Sequence, residues 1–170
     1  MKKIPDLHYR EATMADFEAV KALSLLAYSE FEAVLQPVEW QVFYGNNTND
    51  AALKELMHVA TVFLCLAGAD AVGVAFIVPK GNPTKIYGPD CCYLRKVGVH
   101  PAYRGAGIAG ALTRLCIDFA KRNGETKIML HTSVMMPAAR HIYEQFGFRI
   151  VKDLGLMFGQ QYWLYELDLS

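Results

Sequence analysis

The chain has no excess of either charge: 17 lysines and arginines balance 17 aspartates and glutamates. No basic field draws it to nucleic acid, and no charge block marks a solvated tail. It also lacks any apolar run of about 18 residues, and no apolar stretch follows the two lysines of "MKKIPDLHYREAT" (1–13). The expectation is a protein with no signal peptide and no membrane association, in the cytoplasm. Cysteine is scarce. Cys65, Cys91, Cys92 and Cys116 form no C-x-x-C pair, and the five histidines show no H-x-x-x-H spacing. A disulfide framework and a metal site are therefore not expected, and the thiols read as free in a reducing compartment. No Pro/Ser-rich tract and no internal repeat divides the chain. With 170 residues, 53% of them hydrophobic and 20% charged, it reads as one globular domain, 1–170, with a core of its own.

What is present is an alternation of two hydrophobic periods. "LHYREA" (7–12) reads as a strand. Thr13 and Asp16 then form an N-cap with an acidic first turn, and "ADFEAVKALSLLAYSEF" (15–31) carries Phe17, Val20, Leu23 and Ala27 at helical spacing. "VEWQVFY" (38–44) is a short helix after Pro37, "GNNTND" (45–50) a turn, and "AALKELMH" (51–58) a helix. "ATVFLCLA" (60–67) and "AVGVAFIVP" (71–79) form a hairpin about "GAD". After a Gly/Pro loop (81–90) come the strand "CCYLRKVGV" (91–99) and a helix with the stripe Ile108, Leu112, Leu115 and Phe119. Next are the strand "KIMLHTS" (127–133), the helix "PAARHIYEQF" (137–146), and the closing strands "FRIV" and "QYWLYELDL". The early hairpin excludes an all-parallel sheet, while the later strand–helix–strand places a parallel or splayed pair at its centre. The fold class is mixed α/β (α+β), with one central sheet flanked by helices. The aromatic last strand offers an edge that could pair across a homodimer.

"HPAYRGAGIAG" (100–110) supports two readings. From Gly105 it spells G-x-G-x-x-G, a dinucleotide loop. From Arg104 it spells R-x-x-G-x-A (Arg104, Gly107, Ala109), a different phosphate cradle. The dinucleotide reading wants its first glycine directly after a strand, and an acid at the end of the next one. Here five residues intervene after Val99, and the next strand ends "LHTS". The other reading suits the flanks: small residues let backbone N–H groups converge on a pyrophosphate at a helix N-terminus.

"LRKVGVHPAYRGAGIAGAL" followed by "LHTSVMMPAARHIYEQFGF" resembles the GCN5-related N-acetyltransferase (GNAT) family. The resemblance lies in the V-x-V-x-P strand end, the R-x-x-G-x-A loop, and the helix carrying Ala139, Tyr143, Glu144, Gly147 and Phe148, over about residues 91–150. It implies acetyl-CoA as co-substrate, no metal, and direct transfer of the acetyl group to a primary amine in a ternary complex. The expected acceptor is a small molecule. By the same resemblance, the backbone at Val97 and Val99 holds the pantetheine arm as a pseudo-strand. The loop Arg104, Gly105, Ala106, Gly107, Ile108 and Ala109 holds the pyrophosphate, with the Arg104 side chain either adding charge or bracing the loop. Tyr143 protonates or hydrogen-bonds the departing thiolate.

Two positions depart from the family's pattern. Where many members carry a base on the strand before the loop, this chain has Tyr93, whose ordinary pKa is about 10. Where an asparagine often precedes the last helix, it has Met136. Glu30, Glu32, Glu39 and His131 are the remaining candidates for the base. Arg95, on the face of Tyr93 by strand alternation, is expected to face the acceptor and to favour one carrying a carboxylate or phosphate. The missing base leaves a second expectation open, an acyl-CoA-binding or sensing module with little or no catalysis.

Overall fold

The computed structural model describes Lys3 and residues 5–170. Seven strands form one sheet in the order β1-β2-β3-β4-β5-β7-β6. The strands are β1 (Leu7–Glu11), β2 (Thr61–Ala67), β3 (Asp70–Val78), β4 (Cys92–Val99), β5 (Lys127–Ser133), β6 (Arg149–Met157) and β7 (Gln160–Asp168). Every neighbouring pair is antiparallel except β4–β5. The helices are α1 (Phe17–Tyr28), α2 (Pro37–Asn47), α3 (Asp50–Val59), α4 (Ile108–Arg122) and α5 (Pro137–Gln145). The expected splayed parallel pair is thus at the centre. The last strand, β7, is enclosed between β5 and β6 and has no free edge to offer a second copy.

Local chemistry sets the helix ends. Thr13 and Asp16 exchange side-chain-to-backbone hydrogen bonds in a capping box, and Arg10 grips the Asp16 carboxylate with both guanidinium nitrogens, at 2.9 and 2.8 Å. The helix expected to reach Phe31 stops at Tyr28. There Ser29 Oγ donates to the Leu26 carbonyl, and the chain tightens into a 3₁₀ turn, Ser29–Ala33, that buries Phe31. In contrast, α2 runs through Gly45 to Asn47, into the segment expected as a turn. The side chains of Asn47 and Thr48 close its end on the carbonyls of Phe43 and Tyr44.

Helices α1 and α3 cover one face of the sheet, where Phe17, Val20, Leu23, Leu53 and Met57 pack on Leu64, Val74 and Phe76. Helices α4 and α5 cover the other, where Ile108, Leu112, Cys116 and Tyr143 pack on Cys65, Leu94, Ile128 and Leu130. Strand β4 belongs to both layers. A β-carbon at Gly98 would lie 2.9 Å from that of Ala27, so only glycine allows α1 to approach this closely.

Two irregularities of β4 create the space at the centre. First, Phe76 pairs with Arg95 but Val74 pairs with Gly98, so Ala75 alone opposes both Lys96 and Val97. This is a β-bulge, and Lys96 takes φ 50° within it. The bulge shifts the alternation by one residue. Val97 and Val99 therefore pack in the same layer as Cys92 and Leu94, away from Tyr93. Second, β4 pairs with β5 only at Cys92–Ile128 and Tyr93–Met129. Beyond that point β5 stays bonded to β7 as far as Ser133, while β4 stays bonded to β3. The sheet opens between them.

Candidate active site

The opening is a cleft of about 490 Å³. Leu94–Val97 of β4 and Leu130–Thr132 of β5 form its walls, and Ala139 and Tyr143 of α5 line it from one side. Asn46 and Asn47 of α2, Leu53 and Leu56 of α3, the loop Thr84–Tyr87, and Met157–Phe158 at the β6–β7 turn close it from the other. From Leu94 onward, the β5-facing edge of β4 has no strand partner. Backbone N–H and C=O groups in that position need partners. An extended amide-bearing chain laid along the edge would supply them.

The predicted phosphate loop lies at the end of this edge. Gly105 and Gly107 take φ of 82° and 79°, and a β-carbon at either would meet open space rather than protein. The positive φ, not crowding, is what demands glycine there. The first helical bond runs from Ala111 N–H to Gly107 O at 3.0 Å. The N–H groups of Ile108, Ala109 and Gly110 are consequently left without helical partners, at the positive end of α4. Ile108 is only 2% exposed and anchors the turn in the core. The Arg104 side chain turns away from these donors. It binds Glu30 Oε2 at 2.6 Å and the Ala27 carbonyl at 3.4 Å, which braces the loop against the end of α1. Glu30 is thereby committed to Arg104 and does not line the cleft; Glu32 is exposed, and the Glu39 carboxylate sits beside Gly159 at the β6–β7 turn.

Tyr143 lines the cleft while its ring meets Phe148 edge-on at 5.8 Å. Burial pushes its phenol up, with neighbouring Tyr28 adding to the effect, so the hydroxyl keeps its proton. Tyr93 lies beneath the cleft rather than on its wall. Its ring stacks on Tyr87 at 4.0 Å and its hydroxyl donates to the Asn82 carbonyl at 2.8 Å, anchoring the loop between β3 and β4. Tyr87 thus becomes the aromatic residue of that loop that faces the site. It is hydrogen-bonded to His131 Nδ1. Burial, and then the Arg95 charge, lower the His131 pKa to about 4, which leaves the imidazole neutral.

The charges of the cleft are all of one sign. Lys85, Arg95 and Lys96 line it, and among the described residues no aspartate or glutamate does. The ion pairs of the described residues lie elsewhere, at Arg10–Asp16, Lys21–Asp50, Arg104–Glu30 and Arg140–Glu144. Lys96 Nζ donates to Asn47 Oδ1 at 2.7 Å and lies 5.8 Å from the Tyr28 ring centroid. Burial and Arg95 together lower its pKa to about 8. The structure therefore brings Arg95, His131 and Tyr143 to one cleft, and adds Tyr28, Tyr87, Asn47 and Lys96, which sequence reasoning missed. Lys96 had a signal of its own, as a second cation in an otherwise apolar strand.

The chain resembles N-acetyltransferase 8B of Mus musculus, 30% identical over 107 residues, covering 63% of this chain and 44% of that one. It resembles N-acetylaspartate synthetase of Danio rerio, 43% identical over 60 residues, covering 35% of this chain and 21% of that one. The chain spans less than half the length of these curated relatives. Among solved structures, yncA of Salmonella typhimurium, determined with its cofactor acetyl-CoA, has a TM-score of 0.73 at 19% identity, covering 96% and 94% of the two chains. The ribosomal-protein-S18-alanine N-acetyltransferase of Escherichia coli also scores 0.73, at 16% identity, covering 97% and 95%. These likenesses carry the fold. The model of the acetyltransferase (GNAT) family matches residues 23–148, from α1 to the end of the α5 turn, and so spans both the open strand edge and the glycine loop. On that match, the chain belongs to the GNAT acetyltransferase family.

Proposed function

We propose that the chain transfers the acetyl group of acetyl-CoA to the amine of a small acceptor that also carries a carboxylate. The observation that carries this reading is the unpaired cationic wall of Arg95 and Lys96, with Lys85 at its rim, in a cleft without a carboxylate among the described residues. Unpaired charges in a half-buried cleft are unfavourable until an anion meets them. N-acetylaspartate synthetase, named for an acidic product, is among the relatives, and the match is consistent with such an acceptor.

Acetyl-CoA would supply an activated acetyl thioester. The free edge of β4 at Val97 and Val99 would hold its pantetheine arm. The N–H groups of Gly105–Ala109 and the α4 dipole would hold its pyrophosphate. The acceptor's amine attacks the thioester carbonyl directly, and the protonated Tyr143 donates to the sulfur as charge develops there. Arg95 positions the acceptor by its carboxylate. The neutral imidazole of His131 takes the amine's proton, with its ring fixed by Tyr87. Burial is the larger cause of the lowered His131 pKa, and a carboxylate seated on Arg95 offsets only the smaller contribution of the guanidinium charge.

The test is acetyl-CoA with a panel of primary amines matched in size, with the carboxylate free, amidated or absent, followed by thiol release. The expected result is turnover concentrated on the free carboxylates. Equal turnover across the matched sets would refute the acceptor class. Acetyl-CoA binding by calorimetry with no turnover on any amine would instead favour an acyl-CoA-sensing module. Its supporting observation is the tyrosine at position 93, committed to anchoring a loop.

A further inference from the structure

Lys96 is the one residue of β4 held in a left-handed conformation, at the bulge, and it immediately precedes Val97 on the open strand edge. Consecutive α-carbons lie only about 3.8 Å apart, so its side chain starts beside whatever occupies that edge. Its ammonium is anchored inside the same cleft as Tyr143, by a neutral amide (Asn47) and an aromatic face (Tyr28). The charged and titratable groups around it are Arg95 on its own strand, His131 on β5, Tyr28 on α1, Tyr143 on α5 and Lys85 on the covering loop. Tyr87 and Tyr162 line the same cleft, and none of these groups is a carboxylic acid. A half-buried lysine next to another cation and without a carboxylate is an activated amine nucleophile. With its pKa lowered to about 8, roughly a tenth of it is unprotonated at neutral pH.

We propose that Lys96 is a self-acetylation site: when no acceptor is bound, its amine takes the acetyl group from acetyl-CoA in the same cleft. This rests on the reading of the cleft as the acetyl-CoA site. The Lys96 nitrogen lone pair attacks the thioester carbonyl carbon. A C–N bond forms and the C–S bond breaks. The proton that nitrogen gives up ends on the departing sulfur, relayed through water or the Tyr143 hydroxyl, so the products are an acetyl-lysine and the free CoA thiol. The modification removes one of the two cations that meet the acceptor's carboxylate. An enzyme left without acceptor would thereby lose affinity for it.

The experiment incubates the full chain with acetyl-CoA alone, follows intact mass, and maps the modified peptides. One acetyl group is expected, on Lys96, gained at least tenfold faster than on the exposed Lys121 and Lys152. An excess of CoA or a carboxylated amine should suppress it, and Lys96→Arg should abolish it. Calorimetry of acetyl-CoA binding is run in parallel on both proteins. Binding to the native chain without modification of Lys96 overturns the proposal and leaves the cleft assignment standing. So does acetylation spread evenly over surface lysines, or an equal rate in heat-denatured protein. Failure of acetyl-CoA to bind overturns both.

Discussion

Arg95→Gln separates a residue kept for ligand from one kept for fold. Among the described residues Arg95 has no hydrogen-bond or ion-pair partner in the protein, although it lines a half-enclosed cleft beside Lys96. Its replacement removes no hydrogen bond or ion pair of the described residues and relieves repulsion on both Lys96 and His131, whose pKa values it helps burial to depress. Thermal stability should therefore stay level or rise. The acceptor contact behaves oppositely. A hydrogen bond to a charged group is worth about 1.5–3 kcal/mol, which corresponds to a loss of roughly 10- to 150-fold in kcat/KM for a carboxylated amine. The matched amide should lose much less. The His131 pKa, freed from the guanidinium, should also move up. The acid limb of the rate profile for a neutral amine then shifts to higher pH, because His131 must be unprotonated to act. Thiol-release assays on both amines from below pH 4 up to pH 9, with scanning calorimetry alongside, read all three effects. Equal losses on the two amines, or a clear fall in Tm, would refute the reasoning and make Arg95 a structural residue.

Three further outcomes follow from named contacts. Gly98→Ala places a β-carbon 2.9 Å from that of Ala27; overpacking of this kind costs about 1–3 kcal/mol, and adding Ala27→Gly should restore most of the loss in urea unfolding. Tyr143→Phe should lower kcat by about 10²–10⁴-fold, the usual range for a positioned acid, with little change in acetyl-CoA affinity by calorimetry; an unchanged kcat removes the residue from the chemistry. His131 is held neutral in the fold, with a pKa of about 4 against 6.5 for the free side chain. The unfolded chain thus binds a proton that the folded one refuses. Stability is lost as pH falls from about 6.5 toward about 4, and His131→Gln should flatten urea midpoints across that window.

The elements legible in the sequence were those whose signals are local. The R-x-x-G-x-A loop and the proline at the start of α5 each depend on residues a few positions apart, and each stands where it was expected; the α4 stripe is right at Ile108 and Leu112, but its buried face continues through Cys116, Ile117 and Ala120 while Leu115 and Phe119 lie at its margin. The bulge in β4 has no such signal. "CCYLRKVGV" reads as uniform alternation, and the extra residue is visible only against the register of β3. That single shift is why Val97 and Val99 share a layer with Leu94 rather than with Arg95. The stretch from Tyr28 to Val59 was harder still. Helix α2 buries only Phe43, so it has no apolar stripe to read, and the aromatic cluster of Phe31, Phe43 and Phe158 joins segments more than 100 residues apart.

Tyr93 stands where the resemblance led to the expectation of a base, and it has a structural task of its own. Its phenol serves the covering loop, and through the stacked Tyr87 it supports the hydrogen bond that orients His131. On the proposed reading, position 93 supports the residue that acts as base, His131, rather than serving as the base itself. The exchange makes physical sense beside Arg95. A carboxylate at position 93 would lie on the same face of β4, two residues away, and would pair with the guanidinium. The pairing would neutralise the charge that meets an anionic acceptor. An aromatic residue there leaves the cation free. On the proposed reading of a carboxylated acceptor, the tyrosine at 93 is what leaves the arginine at 95 unpaired to meet it.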